Sequence, residues 1–86
     1  MNPADQIRNF IQGLLNRRRD KKPFADDSSL LLSGRLSSVE AVEIGVFLEE
    51  KFGVDFADIG FDQAKIDTVD QILALAGLAK TDVSRN

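Results

Sequence analysis

The sequence predicts an all-α protein: a small four-helix bundle with three main helices, one short third helix and a long first loop. Apolar residues recur every three to four positions in three separate stretches, which is the pattern of amphipathic helices. A good capping residue precedes each stretch, and no alternating strand pattern competes. With 43% hydrophobic residues in 86, we expect residues 1–86 to form a single domain with one modest core.

The first helix is predicted over residues 3–18. Pro3 suits a first helical position, with Asn2 before it as the cap. A single apolar stripe follows at helical spacing and is formed by Ile7, Phe10, Ile11, Leu14 and Leu15.

Pro23 ends any continuation of this helix, and residues 20–37 have the Asp, Ser and Gly content of a loop. Loops of this length are uncommon in small domains unless they are pinned or functional. We expect four apolar side chains to hold this loop to the core, those of Phe24, Leu30, Leu31 and Leu32.

The second helix is predicted over residues 38–52. Ser37 followed by Glu40 forms a capping box, which places the helix start at Ser38. The Ser38 side chain then points outward at the positive end of the helix dipole, where an attached phosphate would be stabilised. A plain cap is the commoner role of such serines, so this pair alone does not establish a function.

The second helix has two apolar faces. The core face comprises Ala41, Ile44, Gly45, Leu48 and Phe52. On the opposite side Val39, Val42 and Val46 form a valine strip, bordered by the acidic residues Glu43, Glu49 and Glu50. An exposed apolar strip of this kind predicts a docking face for a partner.

The rest of the chain predicts one short helix and one long one. Gly53 suits a left-handed end to the second helix. Residues 62–66 form the short helix, Asp67 caps a last helix at about 68–79, and residues 80–86 form a flexible polar tail. The intervening irregular segment is expected to bury Phe56, Ile59 and Phe61.

The absence of His and Cys narrows the chemistry. The chain lacks the commonest general base, the usual zinc ligands and any thiol nucleophile, so we expect no enzyme and no metal site. Thioester chemistry would need a thiol from a cofactor. Because no apolar run spans a bilayer and no secretory signal is visible, we expect a cytoplasmic protein without membrane insertion.

Charge is divided unevenly along the chain. Residues 1–35 hold seven Lys/Arg against four Asp, whereas residues 36–86 hold four Lys/Arg against ten Asp/Glu. The second part should attract basic partners and repel nucleic acid. The basic run at residues 17–22 is an alternative nucleic-acid patch, but a short run without interleaved aromatic residues is more typical of a solvated helix end.

Residues 30–39 (LLLSGRLSSV), with 42–44 (VEI) and 47–54 (FLEEKFGV) behind them, resemble the acyl and peptidyl carrier proteins. Members of this phosphopantetheine-binding family typically show a glycine-containing turn, then Asp-Ser-Leu, then a helix that closes in Leu-Glu-Glu-x-Phe-Gly. Residues 56–72 resemble the family's short third helix and the start of its fourth. The resemblance implies the acyl-carrier-like four-helix bundle and covers about residues 28–78.

The resemblance implies that Ser38 carries a covalent 4′-phosphopantetheine, attached by a separate phosphopantetheinyl transferase, which makes the chain a phosphoprotein. As a discrete, monomeric carrier it would hold acyl or aminoacyl groups as thioesters. It would present them to the enzymes that load and transfer these groups in lipid or secondary-metabolite biosynthesis. The recognition face would comprise Val39, Val42, Glu43, Val46, Glu49 and Glu50.

The chain departs from the family at Ser37, where members have Asp, and at Val39, where they have Leu. Serine keeps the capping chemistry but removes a charge that a transferase could read, so an unmodified carrier-like interaction module is the alternative. Ser37 could also compete as acceptor, although its capping oxygen is the poorer nucleophile. An acyl pocket is expected between the second and last helices, beside Gly45 and lined by Ala41, Ile44, Leu48 and Ile72.

Overall fold

A computed structural model describes residues 2–84, with side chains over residues 2–77. Every regular element in this part of the chain is helical, which confirms the all-α class. The elements are α1, Pro3–Arg17; α2, Ser38–Phe52; α3, Phe56–Ile59; a 3₁₀ helix, Gln63–Lys65; and α4, Val69–Ser84. Both α1 and α2 pack against α4.

The core is built from the apolar stripes of the three long helices. Its fully buried side chains include Ile7, Ile11 and Leu15 of α1, Ala41, Ile44 and Leu48 of α2, and Val69 and Ile72 of α4. Phe10 of α1 also contacts α2, because its ring stacks on that of Phe47 with centroids 4.2 Å apart. The predicted stripe of α1 and core face of α2 are therefore the faces that the protein buries.

A buried carboxylate holds the long loop before α2. Asp67 is only 6% exposed, and its Oδ1 accepts the backbone N–H groups of Leu30, Leu31 and Leu32 at 3.1, 2.7 and 2.8 Å. Burial raises the pKa of Asp67, but these N–H donors and Ser29 outweigh it and leave the pKa below its ordinary value. The loop is thus fastened to the start of α4.

The prediction that Asp67 caps α4 is wrong. Thr68 is the cap: the Gln71 N–H donates to Thr68 Oγ1 at 3.1 Å, and Gln71 Oε1 accepts from the Thr68 N–H at 3.2 Å. This reciprocal pair is a second capping box. Asp67 is free to face the loop because its neighbour performs the capping.

The loop packs against the core as predicted at three of four positions. Leu30 and Leu31 are buried and Phe24 is half-buried against the core, but Leu32 is 68% exposed. The Gly34 N–H donates to the Leu31 carbonyl, so Leu32 is a central residue of a tight turn and its side chain projects outward.

Two ion pairs also brace the loop. Arg8 of α1 donates to both carboxylate oxygens of Asp26, at 2.9 and 2.7 Å. Arg35 donates to both oxygens of Asp20, at 3.0 and 3.1 Å. The loop is therefore held at its beginning, middle and end.

The segment after α2 differs from its predicted form. Gly53 ends α2 with a φ of 70°, as expected, but the region predicted to be irregular contains α3, with Asp55 as its cap. Ile59 and Phe61 are 51% and 44% exposed, so their predicted burial is wrong. Val54 and Ile66 already fill the core here, which leaves the α3 segment on the outside.

The ends of the main helices differ slightly from prediction. The first helix ends at Arg17 instead of 18, and α4 runs five residues past 79 to Ser84. No Pro or Gly interrupts residues 80–84, so the predicted tail continues the helix there. Residues 85 and 86 of that tail lie outside the described residues. Among the described residues, none of the helices combines the length and the hydrophobicity that a membrane span requires.

Candidate functional site

The serine pair lies at the junction of the long loop and α2. Leu36, fully buried, anchors the chain immediately before it, and its N–H donates to the Leu30 carbonyl at 2.8 Å. Gly34, with a φ of 86°, makes the preceding turn in the left-handed region that favours glycine. The turn and anchor hold Ser38 at the first position of α2.

The two serines have different environments. The Ser37 hydroxyl donates to Glu40 Oε1 at 2.6 Å, its oxygen accepts the Val39 N–H at 3.2 Å, and its N–H donates to the same Glu40 oxygen at 2.7 Å. Ser38 is exposed, and its hydroxyl makes no hydrogen bond within the described side chains. The capping box is confirmed, and it commits Ser37 while it leaves the Ser38 hydroxyl accessible.

Two arginines from the end of α1 neutralise the nearby glutamates. Arg18 donates to Glu40 Oε1 at 3.1 Å, and Arg17 pairs with Glu43. Hydrogen bonds from Ser37 lower the pKa of Glu40, and both arginines lower it further. Although burial opposes this shift, Glu40 is ionised at neutral pH, so charges of both signs surround the first turns of α2.

The valine strip lies on the surface of α2. Val39, Val42 and Val46 are 67%, 59% and 45% exposed. Glu49 and Glu50 are also exposed, and neither lies in an ion pair with any residue of 2–77. The predicted geometry of an apolar strip with an acidic border is therefore present, although Glu43 is already paired.

An apolar groove adjoins this strip on the side of α3. It encloses about 160 Å³ and is lined by Val42, Gly45, Val46, Glu49, Phe56 and Phe61. A Cβ at Gly45 would lie 2.9 Å from the Phe61 ring, so glycine permits the close approach of that ring. Phe56 and Phe61 meet edge to face with centroids 5.4 Å apart and form the outer wall.

The residues predicted for an acyl pocket do not line this groove, apart from the neighbouring Gly45. Ala41, Ile44, Leu48 and Ile72 are all in the core, at most 1% exposed. Their role as a pocket stays a prediction, and the groove lies instead where α2 faces α3. Its wall depends on the exposed position of Phe61, which no local pattern indicated.

Part of the basic run at residues 17–22 forms ion pairs with α2. Arg17 and Arg18 pair with glutamates there, and Asp20 pairs with Arg35. Sequence reasoning missed these pairs. The opposite charge balance of the two parts of the chain was the one available signal, and it does not identify partners. Within the described residues, no group of acidic side chains is placed to hold a metal ion.

Comparison of the chain with protein-family models, with curated proteins and with solved structures found no match.

Proposed function

We propose that the chain is an acyl or aminoacyl carrier, with a 4′-phosphopantetheine arm attached to Ser38. The observation that carries the proposal is the exposed Ser38 hydroxyl at the first position of α2, which has no hydrogen-bond partner in the described part of the chain, whereas the neighbouring Ser37 hydroxyl is hydrogen-bonded to Glu40. When attached, the arm supplies the thiol that the chain lacks, on which intermediates are held as thioesters. The chain itself performs no catalysis.

The electrostatics around Ser38 suit an attached phosphate. The N-terminus of a 15-residue helix favours negative charge, because its first N–H groups have no partner within the helix. Glu40 and Glu43 would oppose a phosphate, but Arg18 and Arg17 neutralise them. The residues present therefore fit a phosphodiester at this position.

The groove supports an acyl group as cargo. Val42 stands four residues after Ser38 on the same face of α2, so the groove begins one helical turn from the serine. Its walls are mainly valine and phenylalanine side chains, which suit the apolar end of an acyl chain. The valine strip beside it suits the partner enzymes, which include a phosphopantetheinyl transferase and the enzymes that load and transfer the cargo.

The second candidate is an unmodified carrier-like interaction module. The valine strip favours it equally, and Ser37 removes the carboxylate that members of the family place before the attachment serine. The two candidates differ in one covalent bond, so modification of Ser38 separates them.

Intact-mass spectrometry tests the proposal. The full chain is incubated with coenzyme A and a broad-specificity phosphopantetheinyl transferase, and we expect the mass to rise by a single phosphopantetheine. Ser38→Ala should abolish the gain. Ser37→Ala is the matched control and should keep the mass gain, since the Ser37 hydroxyl caps the helix instead of accepting the phosphopantetheine.

The assignment would be overturned if the Ser38→Ala variant were still modified, or if the unaltered chain were not modified at all. Protein purified from its native host and measured in the same way provides the second arm. Recovery of the unmodified chain alone, from a host whose transferase modifies it in vitro, would favour the interaction module.

A further inference from the structure

The acidic border of α2 has two halves that differ in pairing. Glu40 and Glu43, toward the N-terminus, pair with Arg18 and Arg17 at the end of α1. Glu49 and Glu50, toward the C-terminus, have no ion-pair partner within residues 2–77. The negative charge that a partner meets is therefore concentrated at one end of the valine strip.

The pair of Arg17 and Glu43 lies where a partner would compete for it. The Arg17 and Glu43 side chains are 58% and 35% exposed, and Glu43 borders the valine strip. Because exposed ion pairs are weak, a cation on a docked partner can replace Arg17 beside Glu43. The free energy of the Arg17–Glu43 pair is lost in that exchange and reduces the affinity for the partner. The expected effect on affinity is accordingly several-fold.

We infer that Arg17 masks Glu43 and thereby directs cationic partners to Glu49 and Glu50. The partner that this surface fits is a protein segment with apolar side chains over Val42 and Val46 and lysine or arginine beside them. Charge complementarity favours this occupant, because residues 36–86 hold ten Asp/Glu against four Lys/Arg. The inference deepens the proposed carrier function, because it describes how partner enzymes would choose their position on α2.

The groove indicates which part of the valine strip a partner would contact. Val46 and Glu49 both line it, so an apolar side chain entering beside Val46 brings a neighbouring cation close to Glu49. At the Arg17 end, the glutamates are covered by guanidinium groups that repel the same cation. One end of α2 thus attracts the partner with both apolar contact and charge, and the other end with apolar contact alone.

An NMR titration of the isotope-labelled full chain tests this inference. The ligand is a synthetic amphipathic helical peptide with leucine on one face and lysine along its flanks. We expect shift changes at Val46, Glu49 and Glu50. Arg17→Ala should tighten binding about two- to fivefold and extend the changes to Glu43, as loss of a weak exposed pair allows. A scrambled peptide of the same composition should bind more weakly.

Arg19→Ala is the matched control, since it removes one exposed positive charge two residues away that lies in no ion pair within residues 2–77. Its effect should be smaller than that of Arg17→Ala, and Glu43→Gln should cancel the gain in the Arg17→Ala background. Equal tightening by both arginine variants, no tightening by either, or no preference for the amphipathic peptide would each overturn the inference.

The titration and the mass measurement at Ser38 test the masking by Arg17 and the carrier function separately, so either proposal can be overturned without the other. Modification of Ser38 without selective tightening by Arg17→Ala overturns the masking alone. Selective tightening in a chain that no transferase modifies overturns the carrier function and assigns the same surface to an interaction module.

Discussion

The starts of α2 and α4 use the same capping motif with opposite surroundings. Ser37 and Glu40 form the box at α2, and Thr68 and Gln71 form the one at α4. At α2 the residue after the cap, Ser38, is exposed, whereas at α4 the residue before the cap, Asp67, is 6% exposed. The motif determines where each helix begins, and the burial of the adjacent residue determines whether its side chain bonds within the fold or faces solvent.

The energetic roles of these adjacent residues differ accordingly. The Asp67 carboxylate accepts the N–H groups of Leu31 and Leu32, which have no other acceptor within the described residues, and it shares the Leu30 N–H with the Asp67 carbonyl. The Ser38 hydroxyl has no bond to lose within the described side chains. We therefore expect substitution of Asp67, beside the α4 cap, to lower the free energy of unfolding, and substitution of Ser38 to leave it nearly unchanged.

The largest effect on stability is expected from Asp67→Ala. The change removes the acceptor of the Leu31 and Leu32 N–H groups, whereas the Leu30 N–H keeps the carbonyl of residue 67, and we expect the free energy of unfolding to fall by about 3 kcal/mol. Asp67→Asn keeps one acceptor oxygen and should cost less. Urea denaturation measures both. Asp70→Ala, an exposed carboxylate in the first turn of the same helix, is the matched control and should cost less than about 1 kcal/mol; equal losses would contradict the pinning role.

A second prediction concerns pH. Since the folded-state pKa of Asp67 lies below its unfolded value of 3.8, its stabilisation is complete well above pH 3.8 and is lost as pH falls through the folded-state pKa. Asp20, Asp26 and Glu40 shift in the same direction and add to the acid loss. The stability difference between the unaltered chain and Asp67→Asn should shrink from pH 7 to pH 3; parallel curves would assign the acid loss to the other carboxylates.

Smaller effects are expected at the caps. Ser37→Ala and Thr68→Ala each remove a capping oxygen and should lower the free energy of unfolding by about 1 kcal/mol. Ser38→Ala, one residue inside α2, should change it by less than about 0.5 kcal/mol. Thermal or urea unfolding of the three variants checks this order. A Ser38→Ala loss as large as that of Ser37→Ala would show that Ser38, too, is structural.

Local patterns predicted much of the candidate site. The capping box placed the start of α2 at Ser38, and helical periodicity separated the valine strip from the core face. Both signals act within a few residues along the chain, so they need no knowledge of the fold. The same reasoning assigned the cap of α4 to Asp67, because nothing local distinguishes a capping carboxylate from one that faces a distant loop.

By itself, the sequence determined the helical class, the start of α2 and the two faces of that helix. Only the tertiary structure decided that Arg17 pairs with Glu43 across 26 positions, that Asp67 faces Leu30 to Leu32 across about 36, and that Phe61 forms the wall of a groove. The physical reason is range. Capping and periodicity depend on neighbours within one or two helical turns, whereas these contacts depend on how α1, α4 and the segment after α2 pack around α2.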